Sequence, residues 1–453
     1  MTLLAIQVPV IVFPEASNPL PPDAITTAPM KALELLNGFA SVFLIAFVTT
    51  LLATPLVRRA ALALEIIDKP DRTRKLHSFP VAYLGGFAVF LGVIVAIAFS
   101  LSITTGAAGL LEPVPLSVLI GLLAITFTGL ADDVWGWDPR LKIAGQLVAA
   151  AALAVENIGT RVAEGALSTF LGPSDQVLLN VGSFVIQNGA LYYWVGIALI
   201  AIFVLGGCNA TNLIDGLDGL LSGTVAIMML GFLAISLMMA TMLESPGSMS
   251  GARIVICLAT LGAVLGFLPW NWNPAVIFLG DCGSLQLGYL SVVLILMFGE
   301  QGHTHLVLAG LVIFALPIMD TALAIVRRRL AGVPFSTADS NHIHHQIRRA
   351  TGGVKSAVSV VYLIVAAFTA LGSTLAWLVI TRVVRLQILY AAAIVLFGFV
   401  AVIALKAARR QQWDAAASKG LERAGDGPTS IGGAAGPDID GAARARPVES
   451  STR

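Results

Sequence analysis

Five short clusters of polar and ionisable residues interrupt an otherwise apolar chain. The richest runs Asn209-Ala210-Thr211-Asn212-Leu213-Ile214-Asp215-Gly216-Leu217-Asp218-Gly219, with an amide or a carboxylate at every third position. On a helix that spacing keeps neighbours on nearly one face. Two acids with two amides supply the oxygen ligands that a hard cation such as Mg2+ requires, and helix capping accounts for one such residue but not for four. A second cluster is Asp132-Asp133, with Lys142 soon after. Adjacent acids at the C-terminal end of an apolar helix repel each other and meet the negative end of its dipole, so a cation or a task must compensate. Because they point about 100° apart, they suit different jobs.

A third cluster, Phe278-Leu279-Gly280-Asp281-Cys282-Gly283-Ser284, follows Asn271 and sets a carboxylate between glycines. There it can reach a metal while the backbone approaches a phosphate. Phe278 is either a base-stacking ring or an ordinary apolar contact. The fourth, Asp339-Ser340-Asn341-His342-Ile343-His344-His345, suggests zinc at first sight, but neighbouring Arg348 and Arg349 favour an anion. Histidine as phosphate donor or proton relay fits better. The fifth comprises Asp68-Lys69-Pro70, Arg74, Lys75, His77, Pro80 and Gly85-Gly86. Its basic groups suit either an anionic ligand or anchoring at a membrane surface, and the paired glycines suggest close ligand approach.

Lipid is the solvent for the elements that position these groups. Of the 453 residues 57% are hydrophobic and 12% charged, with a mean hydropathy of +0.88. Soluble domains carry about 25% charged residues. A net charge of +1 gives no sign of a nucleic-acid partner. Cys208, Cys257 and Cys282 have no paired spacing, so neither a disulfide framework nor a zinc ribbon is expected. A helix crossing a bilayer needs about 20 apolar residues. About eleven stretches qualify, near 36–57, 82–103, 115–131, 143–156, 191–207, 220–241, 253–269, 284–299, 305–326, 356–380 and 385–406. The expected fold is an all-α polytopic membrane protein. Residues 1–34 read as an extramembrane extension interrupted by prolines, 35–406 as the transmembrane domain, and 407–453 as a disordered tail. The insertion 157–190 has room for a hairpin or an interfacial helix. No span offers a clear small-xxx-small seam that would fix an oligomeric state.

Most of the 27 basic residues fall in the odd-numbered connections and the tail. The other side holds only Lys31, Arg161, Arg253, Arg382 and Arg385. The positive-inside rule then puts the N-terminus outside and the tail in the cytoplasm. All five clusters lie on that cytoplasmic side, and ionisable groups at membrane depth are functional by default.

Taken in order, Asp132-Asp133, Asn209-x-x-Asn212-x-x-Asp215-Gly-x-Asp218-Gly, Gly280-Asp281-x-Gly283-Ser284 and His342-Ile-His344-His345 resemble the polyprenyl-phosphate N-acetylhexosamine-1-phosphate transferase family over about residues 35–406. The interrupted histidine string resembles the branch using UDP-N-acetylglucosamine and undecaprenyl phosphate for O-antigen, enterobacterial common antigen or teichoic acid linkage. The phospho-N-acetylmuramoyl-pentapeptide transferases, the alternative within the superfamily, typically carry three consecutive histidines. The resemblance implies an eleven-helix enzyme of the bacterial plasma membrane with a cytoplasmic active site and Mg2+, or Mn2+ in its place. Asp281 and Asn212 would hold the metal on the UDP diphosphate. Asp132, supported by Asp133, would deprotonate or orient the lipid phosphate, and Asp215 joins them as a catalytic residue. Lys75, Asp218, Asn271 and Phe278 would contact the uridine end, while His345 with His342 and His344 would stabilise the diphosphate. The adjacent acids are compatible with direct transfer and with a covalent phospho-aspartate. Many members carry a further Asp or Arg directly after the acid pair, where this chain reads Val134-Trp135-Gly136-Trp137-Asp138. The partners implied are a UDP-N-acetylhexosamine, undecaprenyl phosphate and the bilayer, while the choice between monomer and homodimer stays open. A secondary transporter, the reading from a different class, would place such groups near the midplane at a repeat interface, and no repeat is evident.

Overall fold

The computed structural model describes residues 22–68, 80–106, 112–181, 184–243, 249–332 and 342–384, with isolated helical positions between 391 and 409. Its helices are α1 (Pro22–Ala63), α2 (Gly85–Gly106), α3 (Leu116–Trp135), α4 (Pro139–Val155), α5 (Arg161–Leu171), α6 (Asn188–Ile214) and α7 (Leu220–Met242). They continue with α8 (Ser250–Asn271), α9 (Gly280–Phe298), α10 (Thr304–Ile313), α11 (Ala315–Ala331), α12 (Ile343–Thr351) and α13 (Val354–Ile380). Two short antiparallel pairs complete the fold: β1 (Ile67–Asp68) with β2 (Val81–Ala82), and β3 (Val177–Val181) with β4 (Phe184–Gln187). The 157–190 insertion thus holds both a short helix and a hairpin. Helices dominate because a backbone without water must satisfy its own hydrogen bonds.

Among the described residues eight helices are long and apolar enough to cross a bilayer, or nine if the bent pair α10–α11 is one span. The difference from eleven has identifiable sources. The stretch 143–156 becomes α4, whose 17 residues lie at the short end of the range around the roughly 20 a span takes. The stretch 385–406 lies almost wholly outside the described residues, as do Lys75, Asp339 and nearly all of the tail. The stretch 305–326 is not one straight helix: α10 and α11 meet at 74°. Pro317 explains the break. It has no N–H to offer the carbonyl of Ile313 and its ring crowds that carbonyl, and α10 ends at Ile313. At the other end, α1 starts at Pro22, within the stretch read as extension, where proline suits a first turn.

The core is α9, buried continuously from Cys282 to Phe298, with α8 beside it buried from Ser250 to Val264. Helices apolar on every side belong in such positions. Around them, α1 lies against α8 and α2, α7 against α8 and α13, α3 against α9 and α4, and α6 against α9. The α1–α8 contact is a small-residue seam within the bundle, and it leaves the expectation about oligomeric state untouched. A side chain on Gly262 would run into the Phe43 carbonyl, and one on Gly266 into that of Phe47. Glycines four apart let the two backbones touch, so this seam serves the inside of the bundle.

Replacing Gly262 with Leu forces α1 off α8. We expect a destabilisation of about 1–3 kcal/mol, the usual cost of overpacking, read as a lower unfolding temperature of the detergent-solubilised protein. Unchanged unfolding would show that the helices are not in backbone contact.

Candidate active site

One end of the bundle gathers the C-terminal ends of α3 and α6, the N-terminal ends of α4 and α9, and the short helix α12. Helix α3 runs on through Asp132 and Asp133 and stops at Gly136, whose φ of 63° needs no Cβ. The chain turns, and Asp138 caps α4 by accepting the Arg140 amide at 2.8 Å. That gives a role to one position of the segment 134–138. The next turn of α4 carries Lys142 back over the acids. Its ammonium lies 2.8 Å from Asp132 Oδ2 and 2.6 Å from Asp281 Oδ2.

The two adjacent acids have different partners, as helix geometry requires. Asp133 turns to α9 and accepts the backbone N–H groups of Asp281 at 2.8 Å and of Cys282 at 3.0 Å. It thereby caps a helix start from a different helix, satisfying donors that have no intrahelical partner. Gly280, at φ 69°, makes this possible. Any Cβ there would sit 2.5 Å from Asp133 Oδ2.

Asn212, on the last turn of α6, donates to Asp281 Oδ1 at 2.8 Å and to Ser284 Oγ at 2.9 Å. Below it Thr211 Oγ1 donates to the Ser284 carbonyl at 2.8 Å, locking α6 to α9. The expected single helical face does not extend through all four polar positions, because α6 ends at Ile214. Asp215 is its C-cap residue, and Gly219 turns the chain with φ 74° into α7. Asn209 stays on the helix but binds Gln146 Oε1 at 2.9 Å and the Leu205 carbonyl. Asp218 faces elsewhere, accepting Asn273 Nδ2 at 2.8 Å and the Ala275 amide at 3.0 Å. Asp215 remains near the acids. Burial, followed by the charges of Asp281, Asp133 and Asp218, pushes its carboxyl up to about 8.

Asn271 is buried with both ends of its amide engaged. Its oxygen accepts the Gly219 amide at 3.1 Å and Ser222 Oγ at 3.0 Å, and its nitrogen donates to the Ile277 carbonyl at 3.1 Å. Any influence on a ligand therefore passes through the 272–278 loop. That loop leads to Phe278, which joins the β1–β2 pair: its amide donates to Ala82 at 2.9 Å, and the Gly85 and Gly86 amides donate back to Phe278 and Leu279 at 2.9 Å. The glycine pair thus permits close approach by protein rather than ligand. A side chain on Gly86 would meet the Gly283 backbone, and one on Gly85 the Phe267 ring. Phe278 lies edge-on to Tyr83, centroids 6.1 Å apart. Nothing in the sequence singles out Tyr83, whose phenol is raised by burial first, then by Asp68, Asp133 and Asp281.

The histidines arrive on α12. His344 is buried against Gly216, where a Cβ would strike its Nε2. Its ring lies 4.2 Å from that of His345 and parallel to that of His342 at 5.7 Å. Burial and the facing His345 hold His344 down to about 3, so it is neutral at physiological pH. Burial and Arg348 lower His345 as well. His342 Nδ1 lies 2.8 Å from Asp320 Oδ2. The sequence reading passed over Asp320, although a lone acid in an apolar stretch is itself a signal.

The donors able to hold a cation are the carboxylates of Asp281 and Asp132, the amide oxygen of Asn212 and Ser284 Oγ. Among the described residues no three His, Cys, Asp or Glu groups converge on one point. Such a set fits Mg2+, which takes one or two protein carboxylates and fills its shell with water and substrate phosphate. The ammonium between Asp132 and Asp281 already shows that this space attracts positive charge.

Residues 115–299 match the sequence profile of glycosyl transferase family 4. A Bacillus subtilis protein described as a probable undecaprenyl-phosphate N-acetylglucosaminyl 1-phosphate transferase is 30% identical over 71% of this chain and 80% of its own length. The decaprenyl-phosphate N-acetylglucosaminephosphotransferase of Mycobacterium tuberculosis is 31% identical over 72% of this chain and 80% of its own. The undecaprenyl-phosphate alpha-N-acetylglucosaminyl 1-phosphate transferase of Salmonella typhimurium is 28% identical over 84% and 94%. Profile, relatives and the meeting of α3, α6 and α9 agree, and the chain belongs to the polyprenyl-phosphate N-acetylhexosamine-1-phosphate transferases of glycosyl transferase family 4.

Proposed function

We propose that this protein transfers N-acetylglucosamine-1-phosphate from UDP-N-acetylglucosamine to undecaprenyl phosphate, releasing UMP and starting a lipid-linked cell-envelope glycan. The observation that carries the reading is the Asp132–Lys142–Asp281–Asn212 chain of contacts, which gathers acid, cation and amide at one helix-end junction. The three relatives, all named for this class of transfer, support it. The concentration of basic residues in the odd-numbered connections supports a cytoplasmic site and an outside N-terminus, and the bacterial relatives support a plasma-membrane location.

In the proposed reaction an oxygen of the lipid phosphate bonds to the β-phosphorus of the UDP-sugar. The bond from that phosphorus to the bridging oxygen breaks, and UMP leaves with the electron pair. Phosphoryl transfer needs mainly in-line positioning and charge neutralisation. Asp281 and Asn212 would hold Mg2+, which when bound neutralises diphosphate charge. Asp132 orients the lipid phosphate or takes its proton, and the Lys142 ammonium, within reach of both acids, steadies phosphate oxygens. Asp133 keeps Asp281 in place through the α9 amides. Phe278 and Tyr83 offer an aromatic wall for the uracil, with Asp218 and Asn271 shaping the loop behind it. The histidines of α12 supply donors from the Gly216 side.

Purified membranes given labelled UDP-N-acetylglucosamine and undecaprenyl phosphate should release UMP with Mg2+ and cease when EDTA is added. No Mg2+-dependent UMP release with any UDP-N-acetylhexosamine would refute the proposal. Asp281→Ala and Asp132→Asn should each lower turnover by at least about 100-fold, the scale of a lost electrostatic or acid–base contribution, while the proteins still insert. Near-normal turnover in both variants would overturn the roles given to these residues.

A further inference from the structure

Asp320 is a fully buried carboxylate on α11, just beyond the bend that ends α10. A buried charge needs compensation, and two groups provide it here. His342 Nδ1 lies 2.8 Å from Oδ2, and the Ile343 amide donates to Oδ1 at 2.8 Å. Both come from the start of α12, where His342 is the N-cap residue and its own side chain makes no capping bond. Asp320 therefore does from another helix what an N-cap side chain does locally. It also binds the first histidine of the cluster.

The consequence is chemical as well as structural. A carboxylate facing Nδ1 makes that nitrogen the donor and fixes the ring, so Nε2 is the atom left for a ligand. The parallel stack of His342 on His344 holds the ring plane. We propose that Asp320 is a positioning residue for the transferase: it acts through His342, setting the tautomer and orientation in which Nε2 meets a phosphate oxygen of the substrates. The inference rests on the reaction proposed above.

The test compares wild type, Asp320→Asn, His342→Ala and the double variant in detergent, with Mg2+, UDP-N-acetylglucosamine and undecaprenyl phosphate. The readouts are kcat and KM for UMP release together with the unfolding temperature. Asn keeps an oxygen for the Ile343 amide but turns an NH2 towards Nδ1, which reverses the tautomer. Asp320→Asn should lower kcat/KM by about 10–100-fold, as loss of a partner behind a ligand-binding histidine does. In the His342→Ala background the same change should cost less than about threefold. Losses that multiply in the double variant, or a single variant with wild-type kcat/KM, would overturn the inference. If Asp320→Asn fails to fold, His342→Asn and His342→Gln decide. Asn retains the contact to Asp320 without an Nε2 equivalent, and Gln retains the distal nitrogen without the anchor. Both should lose activity about 10-fold or more; a fully active His342→Asn would show that anchoring is all the histidine does and would overturn the role. A wild-type protein that releases no UMP would instead refute the transferase reading.

Discussion

The geometry of the site depends on one carboxylate from α3 capping the start of α9. Asp133 binds the Asp281 and Cys282 amides, and Gly280 leaves the space for it. In a low-dielectric interior such charge-assisted bonds are stronger than in water, and leaving the helix start unpaired would be costly. The cap thus fixes the α3–α9 crossing at the point where it matters. Once it is set, Asp132 and Asp281 face each other closely enough to share one ammonium, and Asn212 closes the arrangement from α6.

Rigidity behind the site has the same origin. Helix α9 is enclosed on all sides, and its polar groups are satisfied by neighbours: Gln286 Nε2 donates to the Gly86 carbonyl at 2.6 Å, and Tyr289 to that of Val118 at 3.2 Å. Contacts between helices are made through glycine, so backbone rather than flexible side chain sets the distances. Gly129 on α3 admits the Cys282 backbone, and Gly288 on α9 admits Thr211 and the Gly207 carbonyl. A site built on packed helices holds its groups more closely than one built on loops.

The clusters were legible in the sequence because charged groups are rare against an apolar background, and cost makes them conspicuous. What the sequence hid was the direction of each side chain. The every-third-residue pattern from Asn209 to Asp218 looked like one face, yet the helix ends between Leu213 and Asp215, so Asp218 serves the 272–278 loop. Gly85-Gly86 looked like ligand space, but the chain from Phe278 to Gly283 fills it, and only a non-local pairing reveals that. Asp320 was overlooked for the opposite reason. It belongs to no cluster in sequence, and its partners come from α12, beyond the end of its own helix. The fold class was legible from composition, whereas the break at Phe314 required reading Pro317 against the carbonyl four residues before it.

The acids and the histidines are held by different physics. Asp132, Asp133, Asp281 and Asn212 sit on the long helices α3, α9 and α6, which meet through close backbone contacts at Gly129 and Gly288. The histidines sit on nine-residue α12, too short to be stable alone, so its place depends on what it touches. Two of its contacts are specific: the pair of bonds to Asp320 and the packing of His344 on Gly216. The first fixes one ring by direction, and the second fixes a distance without any hydrogen bond. His344 is neutral with neither ring nitrogen paired among the described residues, whereas His342 is anchored through Nδ1. In the proposed reaction the charge to be stabilised moves as UMP departs. A rigid acid cluster together with a histidine ring fixed in direction suits that demand, and the fixed ring is the one bonded to Asp320.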